Sequence, residues 1–336
     1  MTPVPSEPVK SLNLVIIMPA LNEEATIADT IRRIPPQMPG IGSFHVVVIN
    51  DGSTDRTLDE AQAAGATVLS HGRPQGVGAA FQTGLAAALA MGADLVVSLD
   101  ADGQFDPATI PALIEPVVAG LADFATASRF ADAALVPPMP AIKRWGNHQM
   151  SRLISRLCGQ EFHDVSCGMR CYNRRAAMSL NLIGAFTYTQ EVFLNLTYKR
   201  MRMVEVPIAV RGQRRQGKSR VASSLFKYAL NTSGIILRCY RDYQPMRFFG
   251  RLALAFMTPG AGLLVFLLVH YVRTGHFSPH IWAGFTGAGL FVFGLILLII
   301  GLIGDMLNRH RIYLEELLYH VRSQRGGDPG NDARRP

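Results

Sequence analysis

The chain has 336 residues, 49% hydrophobic and only 17% charged, against about 25% charged in ordinary soluble domains. This excludes a disordered chain, a fibrous repeat and a disulfide-built miniprotein, and it allows two or three domains with real cores. The net charge of +8 is uneven: residues 140–251 carry 20 basic and 5 acidic side chains, the remainder 13 and 20. An anionic partner is therefore expected at the middle of the chain rather than over the whole surface, and a nucleic acid is not.

The opening segment, MTPVPSEPVKSLNLVIIMPALNEE, has too short an apolar run for a signal peptide and no small-residue cleavage site. Leu14–Met18 is a continuous apolar run that predicts a strand buried on both faces. Glu23–Ile34 has helical spacing and ends before Pro35-Pro36. His45–Ile49 predicts a second strand, and Ser53-Thr54-Asp55 offers N-cap chemistry for a helix to Ala64. Ala66–Ser70 predicts a third strand, Gly78–Met91 an Ala-rich helix, and Leu95–Leu99 a fourth strand stopped by Asp100-Ala101-Asp102. Doubly apolar strands alternating with helices imply a mostly parallel α/β sheet covered on both sides. Such sheets bind ligands beyond the carboxyl ends of their strands. Asn22 and Glu23, Asp51, Asp100 and Asp102 fall at those ends.

Further on, Leu252–Val272 (with Pro259 inside) and Ile281–Gly304 are uncharged. Each has about the 20 residues a bilayer-spanning helix needs; a pair of buried core helices is the competing reading. The connecting loop Arg273–His280 holds one Arg, whereas the outer flanks hold Arg247, Arg251, Arg309, Arg311, Arg322 and Arg325. The positive-inside rule then puts both termini in the cytoplasm. Val221–Arg251 interleaves apolar and basic residues, as an amphipathic helix at a bilayer surface or an ordinary packed helix does. The expected division is a 1–12 extension, a 13–220 α/β domain, 221–251 interfacial helices, spans at 252–272 and 281–304, a 305–325 cytoplasmic helix and a disordered 326–336 tail.

Asp100-Ala101-Asp102 sets two carboxylates close together, which repel unless a cation intervenes. A divalent ion shared with a substrate diphosphate resolves this, although the same residues can simply begin a loop. Asn50–Asp55 reads as a turn plus helix cap, or as a carboxylate presented to a base N–H. Gly76-Val77-Gly78 suits a phosphate at a helix start or tight helix packing. Residues 212–219 match the P-loop pattern GxxxxGK[ST]. The bulky Arg214-Arg215 and the spans downstream argue against a nucleotide hydrolase. A basic loop closing over phosphates explains the residues better. Arg129 and Arg144 follow the sheet and are candidates for a site. Lys143, Arg152, Arg156, Arg170, Arg174 and Arg175 read as solvated surface or lipid-headgroup contacts. His148 and His163 receive no role. The four cysteines lack paired CxxC spacing, which argues against zinc and a disulfide framework and for a reduced compartment.

Together these pieces resemble inverting family-2 glycosyltransferases of GT-A type, and most of all the membrane-anchored polyprenyl-phosphate branch related to dolichol-phosphate mannose synthase. The residues carrying the resemblance are Met18–Glu23, Asn50–Asp55, Asp100–Gln104, Ser128–Phe130, Asp164–Arg170, Gln190-Glu191, Glu205–Pro207 and Arg214-x-x-Gly217-x-Ser219-Arg220, over about residues 13–250. The resemblance implies a Rossmann-like GT-A sheet domain followed by interfacial helices and a two-helix anchor. It implies that Pro19, Ala20, Asn22, Glu23, Asp51, Asp100, Gln190 and Glu191 hold the nucleotide sugar. Asp100, Asp102 and Gln104 would hold Mg²⁺ or Mn²⁺. Arg129, Arg144, Arg214, Ser219 and Arg220 would gather the acceptor phosphate, with Asp102, Arg129 and Arg214 the catalytic set. Asn50 stands where an acid is common, and Arg220 where Lys is usual. The implied partners are a nucleotide sugar, a polyprenyl phosphate and the cytoplasmic membrane, the product serving envelope or lipopolysaccharide glycan modification; a homo-oligomer is left open. The alternatives are a processive polysaccharide synthase, for which a QxxRW element is missing, and a membrane-tethered NTP-binding protein using residues 212–219.

Overall fold

The structure, a computed structural model, describes residues 11–182, 188–211, 234, 237–238 and 240–325. The chain divides into two compact units, Met1–Ser233 with Leu318–Pro336, and Gly234–Leu317.

The first unit is built on a seven-stranded sheet: β1 (Leu12–Ala20), β2 (Ile41–Asn50), β3 (Thr67–Ser70), β4 (Leu95–Ser98), β5 (Phe124–Ser128), β6 (Arg170–Asn173) and β7 (Met203–Pro207). The spatial order is β3-β2-β1-β4-β6-β5-β7. Every neighbouring pair is parallel except those of β6, which runs antiparallel between β4 and β5. Leu14 to Met18 are fully buried, as a strand covered on both faces requires. Each such side chain contributes roughly 1.5–3 kcal/mol by leaving water.

The helices are α1 (Ile27–Arg32), α2 (Thr57–Ala63), α3 (Val77–Ala90), α4 (Ile110–Val118), α5 (Ala141–Cys158), α6 (Arg174–Ser179) and α7 (Thr189–Tyr198). Helix α3 packs on β1 and β2. It approaches closely because Gly84 has no side chain: a Cβ there would lie 2.6 Å from Ile49 Cδ1 and 3.1 Å from Ile17 Cβ. Two boundaries depart from the sequence expectation. Helix α1 begins at Ile27, because Glu23–Thr26 forms a turn with the Thr26 and Ile27 N–H groups on the Glu23 carbonyl. Helix α2 begins at Thr57 with Arg56 at the N-cap position, and Asp55 Oδ1 accepts from the Thr57 N–H at 3.0 Å.

The second unit contains α8 (Pro245–Thr274) and most of α9 (Ile281–Arg325). Both are long and apolar enough to cross a membrane, with mean hydropathies of 2.3 and 2.7 in their most apolar windows. Only 11% of each window is buried. Side chains such as Leu254, Leu268, Phe285 and Val292 are exposed, a surface suited to lipid rather than water. The two helices meet through glycines. A Cβ on Gly287 would lie 2.9 Å from the Gly260 carbonyl oxygen, and one on Gly294 2.9 Å from that of Ala253. Small residues allow this backbone approach, and the seven-residue step from Gly287 to Gly294 to Gly301 suits a left-handed crossing. Helix α8 includes residues 245–251, which the sequence reading gave to the interfacial segment; most of that segment lies outside the described residues. Helix α9 runs unbroken past Asp305, so residues 305–325 continue it rather than form a separate helix.

Candidate active site

The polar strand ends gather as the parallel topology requires. After β1 the chain turns at Asn22, in the left-handed region with φ 54°. Asn is among the few non-glycine residues that adopt this conformation readily. The turn after β1 interlocks with the turn after β2. Ser53 Oγ accepts from the Asn22 N–H at 2.9 Å, Asn22 Oδ1 from the Thr54 N–H at 2.8 Å, and Thr57 Oγ1 from the Glu23 N–H at 2.8 Å. Pro19 and Ala20 close β1 beside Ile49 and Asn50 of β2.

Asp51 is buried, and protein donors engage both its oxygens. Oδ1 accepts from the Gln75 N–H at 2.9 Å and lies 2.7 Å from His71 Nδ1; Oδ2 accepts from the Gly76 N–H at 2.8 Å. The Gly76 amide, at φ +99° just before α3, is thus directed to Asp51. Asp51 organises the loop that precedes α3. His71, at the end of β3 and held on its other side by Thr83 Oγ1 at 3.0 Å, is a member of this cluster that the sequence reading missed.

Asp100-Ala101-Asp102 follows β4 and leads into a turn. Asp102 is buried and accepts from the Gln104 N–H at 3.0 Å. Asp100 lies against Gly168, where a Cβ would fall 2.8 Å from the Asp100 Cγ. That contact is the physical reason for glycine in the Asp164–Arg170 segment. Just beyond the turn, the Arg211 N–H donates to the Gln104 carbonyl at 2.9 Å and Phe105 bridges to Val210. The chain that leads into Arg214, Ser219 and Arg220 is therefore anchored beside the acidic turn. Those three residues, and the whole 212–219 motif, lie outside the described residues.

Arg129 follows β5. Its Nε donates to Asp164 Oδ2 at 2.6 Å and its Nη2 to Asp164 Oδ1 at 2.9 Å. Burial alone would lower the guanidinium pKa, but the Asp164 carboxylate outweighs it, and with help from Asp100 the pKa stands above the ordinary arginine value. Burial, and next the Asp100 carboxylate, hold the Tyr188 hydroxyl well above the usual tyrosine range. Asp100, Arg129 and Tyr188 thus share one electrostatic neighbourhood.

Gln190 and Glu191 open α7, and both are buried. Gln190 Nε2 lies 3.4 Å from Ser166 Oγ. Arg170, expected on the surface, is instead fully buried. Its guanidinium donates to the carbonyls of Cys167, Thr189 and Val165 and sits 5.0 Å from the Phe193 ring centroid. Arg174 also turns inward, to the Ala93 carbonyl at 3.0 Å. The 163–168 loop is thereby fastened from several sides. The sequence reading quoted its residues but assigned them no work. Burial pushes the Cys167 thiol within it up to about 12.

Arg144 lies apart from Arg129 on the exposed side of α5. It lines a groove of about 1090 Å³ with Phe130, Trp145, His148, Arg152 and Arg156. Arg144, His148, Arg152 and Arg156 recur every fourth residue, so they form one basic stripe down the helix.

Among the described residues no three His, Cys, Asp or Glu side chains gather into a metal cage. The donor set of Asp100, Asp102 and Gln104 still fits a hard divalent ion. Mg²⁺ in particular binds through one or two carboxylates plus substrate phosphates rather than a closed protein cage.

Residues 15–180 match Glycosyl transferase family 2. The chain is 31% identical over 199 residues to a dolichyl-phosphate hexose transferase of Haloferax volcanii, covering 59% of this chain and 83% of that one. It is 28% identical over 230 residues to the polyprenol monophosphomannose synthase of Mycolicibacterium smegmatis, covering 64% and 83%. The fold is shared with glucosyl-3-phosphoglycerate synthase from Mycobacterium tuberculosis, crystallised with Mn²⁺, uridine diphosphate and phosphoglyceric acid. The TM-score is 0.54 at 23% identity, over 68% of this chain and 78% of that one.

Proposed function

Because this chain belongs to glycosyl transferase family 2, we propose that it transfers a sugar from a nucleotide sugar to a polyprenyl phosphate at a membrane surface, with inversion at the anomeric carbon. The observation that carries this reading is that opposite charges beyond β4 and β5, the two strands flanking β6, are braced on one loop: Asp100 of the acidic turn lies against Gly168, and the Arg129 guanidinium is held by Asp164. A donor diphosphate and an acceptor phosphate need such a pair of subsites side by side. The names of the two relatives, a dolichyl-phosphate and a polyprenol-phosphate transferase, support the acceptor class.

The Pro19–Glu23 turn and the Asp51 cluster form the nucleotide end of the crevice, with Asp51 acting by shaping the loop at Gln75 and Gly76. Gln190 and Glu191 back the sugar end. A divalent ion, Mg²⁺ or Mn²⁺, bound by Asp100, Asp102 and Gln104 would neutralise charge gathering on the departing nucleoside diphosphate. The acceptor phosphomonoester, with its second pKa of about 6, is ionised near neutral pH and needs no general base. It needs cations to approach an anionic donor: Arg129, Arg214 and Arg220 supply them with the Ser219 hydroxyl as a further donor, and Arg144 adds positive charge from the α5 stripe. A phosphate oxygen forms the new bond to the anomeric carbon while the opposite bond to the diphosphate breaks, so an α-linked donor gives a β-linked product. The apolar α8 and α9 keep the enzyme in the membrane that holds the lipid. The arginines flanking the helix pair favour cytoplasmic termini and a cytoplasmic active site.

The test is to incubate the purified full-length protein in nanodiscs with geranylgeranyl phosphate and UDP-glucose, UDP-N-acetylglucosamine or GDP-mannose. Metal is supplied as Mg²⁺ or Mn²⁺, or removed with EDTA. A lipid-phosphate sugar that disappears with EDTA is the expected product. Nucleotide-sugar turnover without a lipid product would refute the acceptor assignment.

A further inference from the structure

We propose that Glu205 and Asp164 are positioning residues that fix the direction from which Arg129 meets the acceptor phosphate. This assignment rests on the acceptor reading above.

Glu205 lies in strand β7, paired with Thr126 of β5, three residues before Arg129. Its carboxylate is 9% exposed and serves three groups of the neighbouring loop. It accepts from the His163 N–H at 2.8 Å and the Asp164 N–H at 2.7 Å, and lies 2.9 Å from His163 Nδ1. Two adjacent amides on one carboxylate leave the loop backbone little freedom. Asp164, fully buried, is held in turn and takes four donors: the Arg129 N–H at 3.2 Å, Nε at 2.6 Å, Nη2 at 2.9 Å, and the Ser166 N–H at 3.2 Å. A chain of charge-assisted bonds therefore runs from β7 through the loop to the cation after β5.

An arginine with three free faces samples many rotamers and loses that freedom when it grips a ligand. Here the clamp has already removed it. Asp164 takes Nε and Nη2, so Arg129 addresses a phosphate through its Nη1 edge, from one direction. The arrangement meets the need of in-line attack, in which a misplacement of about 1 Å costs on the order of 100-fold. A purely architectural role would explain the hydrogen bonds, but not why the chain of carboxylates ends on a cation held by the same loop that packs Gly168 on Asp100 of the acidic turn.

The experiment uses the full-length protein in nanodiscs, with geranylgeranyl phosphate as acceptor and the donor panel above. The variants are Arg129→Lys, Glu205→Gln, Asp164→Asn and the double variant Arg129→Lys with Glu205→Gln. Each single variant is expected to raise the acceptor KM by about tenfold or more while the donor KM moves less than about twofold. The double variant should cost no more than Arg129→Lys alone, because Glu205 acts through that side chain. The proposal is overturned if Glu205→Gln lowers only the thermal midpoint, shifts both KM values equally, or multiplies with Arg129→Lys. If Arg129→Lys itself leaves the acceptor KM unchanged, the acceptor reading falls, and the proposal with it. Asp164 is fully buried, so if Asp164→Asn does not fold, Glu205→Gln and the double variant decide. If no donor in the panel is turned over, calorimetric titration of geranylgeranyl phosphate makes the same comparisons as Kd.

Discussion

The two halves of the sheet are held together by different forces. From β3 to β4 the interior is a slab of aliphatic side chains, Leu14–Met18 and Val47–Ile49 among them, with polar groups kept to the strand ends. From β6 to β7 the interior contains buried charge: Arg170 and Asp164 fully enclosed, Asp123 nearly so, and Glu205 close behind. Burial of aliphatic surface is non-directional and tolerates small displacements. Buried ions are stable only with their full set of partners, so they hold one geometry or fail. The half that would face the nucleotide is therefore rigid in bulk. The half that would face the acceptor is rigid in direction, and one of its fixed partners is Arg129, the residue proposed to meet the acceptor phosphate.

Substitutions should separate the halves. Asp102→Asn, at their junction, is expected to reduce transfer by on the order of 1,000-fold in a radiolabelled-sugar assay, with an unchanged circular dichroism spectrum. Arg170→Ala removes the guanidinium bonds to the Cys167, Val165 and Thr189 carbonyls and leaves a void among aromatic rings. It should cost about 3–5 kcal/mol of stability by denaturant titration and should also raise the acceptor KM. Ile16→Ala in the aliphatic half should cost about 2–5 kcal/mol and leave both KM values alone; a KM change there would break the comparison. Glycines sharpen it. Gly84→Ala must push Ile49 and Ile17 aside, for about 1–3 kcal/mol of stability and little activity. Gly168→Ala presses on Asp100 and should lower transfer by about tenfold for a similar loss of stability.

The smallest effect is on acid stability. Burial alone would raise the Asp123 pKa, but donors from Arg202 and Asn173 outweigh it and hold the pKa below the ordinary 3.8. Its contribution is therefore complete above pH 3.8 and lost as pH falls through the lower folded value. Asp123→Asn should flatten the acid limb of a melting-temperature-against-pH curve, and an unchanged limb would remove Asp123 from the account.

The same contrast decides what could be read in the amino-acid order. Strands β1, β2 and β4 stand out as aliphatic runs, and the acidic triplet after β4 marks the crevice. Strands β5 and β6 give no such signal: Phe124-Ala-Thr-Ala-Ser is built of small residues, and Arg170-Cys-Tyr-Asn looks like surface. Arg170 is buried because three carbonyls and three aromatic rings surround it, contacts that no local pattern reveals. The same holds for Glu205 and His71, whose partners are distant in sequence. Asp51 was legible as a strand-end carboxylate. That its oxygens would turn to Gln75, Gly76 and His71 depended on a loop whose shape only the fold supplies.

Strand β6 has a consequence for the order of assembly. It enters the sheet against the grain, between β4 and β5, after helix α5 and the following loop have already been made. Strand β5 pairs with β6 and β7 and with none of the first four strands, so its hydrogen-bonded link to them runs through β6. The acidic turn after β4 and Arg129 after β5 therefore share one edge of the sheet only in a chain whose β6 is seated between their strands.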